Sequence, residues 1–197
     1  MKSRLFRFLA TCLIIFNLLI SFQEFALAVE EQPYLREVEL RELKKVEVYP
    51  DGRVDLIDLT EQEISRFRKL QASANESGST TEDLLKGRCI NNTSYKTVMY
   101  YPGVWQGKDN TPLAQPPGTI SPNGIDCDGM FVPRNVTAQG IQGPFAAKIR
   151  DPQTLEMTGD RYSRQFPGGS GFEILRNGDV NWWIGNVTQE DVESWGG

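Results

Sequence analysis

The sequence predicts a β-rich α+β fold: a mostly antiparallel sheet with one or two short helices packed on it, closed by one disulfide. Three observations predict it. Nine of the eleven prolines fall between residues 102 and 167, which excludes long helices there and favours short strands joined by wide loops. Asn177-Gly178 separates two apolar runs, a strong short-range hairpin signal. Helical spacing is confined to a stretch that begins at Thr60 and to a closing turn near the end of the chain.

In chain order, residues 1–28 read as a signal peptide. Lys2, Arg4 and Arg7 precede an apolar run from Phe8 to Phe22, and Ala26-Leu27-Ala28 supplies small residues for cleavage, so the exported chain is expected to begin at Val29. The apolar run is roughly 15 residues, short of the ~20 that span a bilayer, so no stable membrane anchor is expected after cleavage. The expected location is secreted or periplasmic. Removing this segment's net +2 takes the chain from −5 to −7.

Residues 29–87 form a charged region with hairpin and helix signals. Residues 29–45 fit neither period cleanly and read as a frayed helix or an extended lead-in. Lys45–Tyr49 and Arg53–Leu59 flank Pro50-Asp51-Gly52, the composition of a hairpin turn, with Val54 and Leu56 on one face and Asp55, Ile57 and Leu59 on the other. Thr60 with Glu63 makes a capping box, and Ile64, Phe67 and Leu70 recur at helical spacing until about Ala74. Asn75–Ser79 reads as a linker, and a second short helix is expected at 81–86, closed by Gly87.

Residues 88–197 form the β-rich, Pro/Gly-looped module. Strands are expected at Cys89–Asn91, Tyr95–Tyr101, Met130–Val132, Phe145–Ile149, Phe172–Arg176 and Val180–Ile184, the last two as a hairpin. Thr188 with Asp191 caps a final helical turn. After export two cysteines remain, Cys89 and Cys127, with one internal pairing available to them. Closing a loop of that length stabilises by about 4 kcal/mol on the chain-entropy account.

The chain has no histidine, which removes Ser-His-Asp and Cys-His nucleophilic sites, His-ligated zinc and His acid–base chemistry. A net-acidic chain without a basic stripe is not a nucleic-acid binder. Asp126-Cys127-Asp128-Gly129 resembles half of a calcium loop, although a tight turn around a disulfide cysteine explains the same residues without an ion. Calcium through Asp126 and Asp128 is the one cofactor the sequence suggests. Phe166–Gly171 is a Gly-rich loop preceded by Arg161, Tyr162 and Arg164, which together suggest an anion pocket; a wide turn before a hairpin accounts for the glycines equally.

Trp182 and Trp183 are adjacent on an expected strand, so their side chains point to opposite faces, and Tyr100 and Tyr101 pose the same question. An outward aromatic suits sugar stacking or protein contact; a second layer would bury it instead. Asn-x-Ser/Thr sequons at Asn75, Asn91, Asn92, Asn135 and Asn186 are glycosylation acceptors in a eukaryotic secretory route and bare loop residues in a bacterium. No carboxylate pair stands out: Glu156, Asp160, Glu173 and Asp179 are candidates by elimination.

The expected function is a secreted, non-catalytic binding module for a carbohydrate or an extracellular protein, with Tyr101, Trp105, Trp182, Trp183, Arg161 and Arg164 as contact residues. The alternatives are a secreted carboxylate-dependent hydrolase acting on a glycan, and an exported toxin or effector with an Arg-lined pocket.

Overall fold

The computed structural model describes residues 35–76, 86–102, 110–167, 171–177, 179 and 183–194. The signal peptide with its cleavage point, residues 81–85 of the helix expected over 81–86, Trp105, Trp182 and the central part of the Gly-rich loop lie outside the described residues.

The elements in order are β1 (Arg36–Glu37), a 3-10 turn (Leu40–Glu42), β2 (Lys44–Val48), β3 (Val54–Asp58), α1 (Glu61–Glu76), β4 (Arg88–Asn91), β5 (Thr97–Pro102), β6 (Asn110–Gln115) and β7 (Thr119–Ile120). They continue with β8 (Gly129–Val132), β9 (Thr137–Ala138), β10 (Ile141–Gln142), β11 (Phe145–Lys148), β12 (Thr154–Gly159), β13 (Ser163–Gln165), β14 (Glu173–Leu175) and α2 (Gln189–Ser194). The fold is β-rich α+β, and its strands form two sheets rather than one. The first is wholly antiparallel, in the order β14-β11-β8-β5-β6-β2-β3. The second, β1-β7-β4-β12-β13-β9-β10, is mixed: β1 with β7, β4 with β12 and β9 with β13 run parallel.

Local chemistry sets the element ends. The β2–β3 hairpin turns at Pro50-Asp51-Gly52, where Gly52 sits at φ +86°, open to glycine at no steric cost. Helix α1 begins with a reciprocal cap: the Thr60 N–H donates to Glu63 Oε2 at 2.6 Å and the Glu63 N–H to Thr60 Oγ1 at 3.3 Å. Helix α2 is capped likewise by Thr188 and Asp191. Residues 29–45 resolve, within their described part, into strand β1 and the 3-10 turn.

The core lies between the sheets. Met99 and Tyr101 of β5, Met130 and Val132 of β8, and Phe145 and Ala147 of β11 pack in one cluster with Cys89 of β4 and Leu155 and Met157 of β12. Cys89 and Cys127 form a disulfide within it, with Cα atoms 5.8 Å apart. Each large apolar side chain fully buried here contributes roughly 1.5–3 kcal/mol by leaving water. Helix α1 adds Ile64 and Phe67, the latter edge-on to Tyr101 at 6.5 Å. Leu70 does not join them; it is 44% exposed, because the helical period carries the inward stripe from Phe67 to Gln71, whose side chain reaches Asn123 O at 3.0 Å.

The opposite face of the antiparallel sheet is also covered. Val98, Tyr100, Phe131 and Ala146 alternate with the core residues and pack under Ile184, Val187 and Val192 of the C-terminal segment. Both tyrosines of the pair are therefore fully buried, one on each face. Of the strand expected over 180–184 only residues 183 and 184 are described, and neither lies in a strand; β14 pairs with β11.

Candidate functional site

The C-terminal segment covers only part of the outer face. Toward the β2–β3 end an open groove of about 540 Å³ remains, with Val54, Leu56, Ala114 and Pro116 apolar and Lys44 and Lys96 at its side. Its position follows from the hairpin's alternation: Val54 and Leu56 of β3 share the outer cluster, while Leu59 packs in the core on the other side. Among the described residues, strand β3 is the last strand of its sheet, so one of its backbone edges has no neighbouring strand among them. Across the groove side, Lys44 of β2 forms an ion pair with Asp58 directly opposite it on β3.

A second concavity of about 400 Å³ adjoins it and shares Val54. It runs between the hairpin tip, with Val48, Tyr49 and Arg53, and the C-terminal segment at Asn186 and Asp191. The Arg53 guanidinium stacks 4.0 Å above the Tyr49 ring, and Val48 is 43% exposed. The first concavity, which has no aromatic side chain in its lining, carries charges of both signs at its sides.

The four described contact residues singled out in the sequence, Tyr101, Arg161, Arg164 and Trp183, do not line the groove. Tyr101 is fully buried; its hydroxyl donates to Gln115 Oε1 at 2.5 Å, and burial holds its pKa well above the usual phenol value. Trp183 is half-buried on the outer face, edge-on to Phe131 at 6.0 Å. Arg161 pairs with Glu193 at 2.8 Å. Arg164 is entirely buried. These residues do not converge on the groove.

Asp126 and Asp128 flank the disulfide cysteine. Asp126 Oδ1 and Asp151 Oδ1 both accept from the Gly87 N–H, at 2.8 and 2.9 Å, which brings the two carboxyl groups together. Burial first, and then the charges of Asp128 and Asp151, push the Asp126 pKa up to about 6. Burial also raises that of Asp128, against the opposing hydrogen bond from Asn110 and charge of Lys148. Among the described residues no group of three or more Cys, Asp or Glu is arranged to hold a metal ion. The carboxylates at this point cap a backbone N–H.

The sequons occupy different environments. Asn91 is fully buried, with its amide nitrogen on the carbonyls of Tyr95, Gln115 and Pro116. Asn92 donates to Glu156, and Asn135 donates to Glu190 while accepting from the Gln189 N–H. Asn186 is exposed in a turn beside the second concavity.

Sequence reasoning missed the groove as a site although it placed Val54 and Leu56 on one face. The missing signal is what lies opposite: Ala114 and Pro116 come from β6 and the residues after it, whose prolines had marked the region as loop. Asp151 was missed because its partnership with Asp126 is made only by the fold. Among the described residues no helix is long and apolar enough to cross a membrane. No family model matches the chain, and no curated protein or solved structure is significantly similar to it.

Proposed function

We propose that the chain is an exported, disulfide-closed binding module, without catalysis, that receives an extended segment of a protein partner along the outer face of the β2–β3 hairpin. The observation that carries this reading is the open groove beside an edge strand. An extended peptide adds backbone hydrogen bonds to such an edge and places alternate side chains into the apolar floor. The residues lining the groove favour a protein over a carbohydrate, because no aromatic ring among them offers a stacking platform for a sugar. The leader at residues 1–28 and a disulfide in the core agree with passage to an oxidising compartment.

The hydrolase alternative rests on Glu156, Asp160, Glu173 and Asp179; the acids the fold brings onto one N–H are instead Asp126 and Asp151. The carboxyl groups of that pair both accept from the same N–H, at 2.8 and 2.9 Å, a closer approach than two acids flanking a glycosidic bond make. Peptides selected from a random displayed library on the purified chain, in parallel with a panel of glycans, test the reading. Peptide binders weakened at least tenfold by Leu56→Asp, with melting otherwise unchanged, support it. Glycan binding indifferent to that substitution contradicts it.

A further inference from the structure

Arg164 on β13 is the largest fully buried side chain among the described residues, with no exposed surface. An arginine does not shed its charge by deprotonating in ordinary conditions, so a buried one needs acceptors. Its Nη1 donates to the carbonyls of Asp160 and, at 3.5 Å, Gly159, and its guanidinium stands 5.2 Å from the centre of the Tyr95 ring. Its Nε and Nη2 are buried and have no acceptor. Those two nitrogens form one side of the guanidinium fork, the edge that takes a carboxylate, phosphate or sulfate through two parallel hydrogen bonds.

The acids nearby are engaged elsewhere. Asp160 accepts from the N–H groups of Tyr162 and Ser163. Glu190 accepts from Tyr162 Oη and Asn135 and also stands 3.7 Å from Arg161 Nη2. Glu193 is held between Arg161 Nη2 at 2.8 Å and Gln189 Nε2 at 3.1 Å. Arg161, three residues before Arg164, also has a buried Nε without an acceptor. Glu190 and Glu193 both stand on α2, six residues long, which adds only Val192 to the apolar outer cluster.

We propose that the Nε–Nη2 edge of Arg164 receives a small oxyanion, with Arg161 beside it, and that α2 is the lid of this site. In the closed form Glu193 holds Arg161 and shuts the lid; an arriving oxyanion takes the bare edge of Arg164 and competes with Glu193 for Arg161. This site is independent of the hairpin groove, and its failure leaves the groove proposal untouched.

The test titrates the full exported chain with inorganic phosphate, sulfate and acetate at constant ionic strength against chloride. It follows the melting midpoint and the Arg164 Nε–H signal by nitrogen-15 NMR. The expected result is a saturable shift of that signal and a rise in melting midpoint with at least one of the three anions. Both responses are absent in Arg164→Met, and apparent affinity is several-fold tighter in Glu193→Gln, where the lid is loosened. If Arg164→Met does not fold, the wild-type Nε–H signal and the Glu193→Gln affinity decide the matter. An Nε–H signal unmoved by all three anions overturns the proposal, as does an anion response that persists in Arg164→Met or weakens in Glu193→Gln.

Discussion

Asp126 and Asp151 bring a carboxylate oxygen each to the same backbone N–H, that of Gly87, at 2.8 and 2.9 Å. Burial, and then the neighbouring charges of Asp128 and Asp151, disfavour ionising Asp126. The pair clamps three separate chain segments at one backbone N–H. Folded Asp126 titrates at about 6, above its ordinary value of 3.8, so between those two values the folded chain binds more protons than the unfolded one. Stability from this group is fully present below about 4 and is lost as pH rises through 6. The raised Asp128 acts in the same direction. Urea midpoints measured from pH 4 to 8 should fall with rising pH, and Asp126→Asn should flatten that slope; an unchanged slope contradicts the clamp.

Gly87→Ala tests the same point sterically. A Cβ there meets Cys127 O at 2.4 Å and Asp126 Oδ1 at 3.0 Å, and the first of these is backbone that cannot swing aside. The substitution should destabilise by roughly 1–3 kcal/mol, the range for forcing atoms into a packed site. A chemical denaturation midpoint equal to wild type would mean that the close approach is relaxed in solution.

The disulfide carries a larger share. Replacing Cys89 and Cys127 together by Ala should cost about 2–5 kcal/mol, as loss of a native bridge from a small exported domain does. Equilibrium unfolding of the double variant measures it, and an intact-mass comparison before and after reduction and alkylation shows whether the bridge forms in exported protein.

Much of the fold was legible where chemistry is local. Thr60 with Glu63, Thr188 with Asp191 and the Pro50-Asp51-Gly52 turn each declare an element end through residues within a few positions of one another. What was not legible depends on distant partners. Strand β12 reads Thr-Leu-Glu-Met-Thr-Gly, without β-branched enrichment at its inward positions, and lies parallel to β4 from a remote part of the chain. Strand β6 carries Pro112, which argues against an inner strand. The pairing resolves this: β2 meets β6 at Ala114 and Leu113 and stops there, so the ladder ends before the residue that has no N–H to give. A second sheet, and hence the burial of Tyr101 and Arg164, follows from those long-range pairings and from no short pattern in the chain.

Trp183 should behave as a packing residue. It lies edge-on to Phe131 at 6.0 Å and is half-buried, so Trp183→Ala should cost roughly 2 kcal/mol, below the 3–5 of a fully buried ring. Thermal unfolding reads the loss. A variant as stable as wild type but unable to bind selected peptides would move the contact surface from the hairpin to the C-terminal segment.

The most direct measurement is a chemical-shift map of the labelled chain during titration with a selected peptide. The account predicts that the perturbed amides cluster in residues 44–58, at Lys96 and around Ala114, with the amides on the open edge of β3 slowing their exchange with solvent as they gain a partner. Perturbations centred instead on the acid clamp at Asp126, or scattered with no protection along β3, would contradict it.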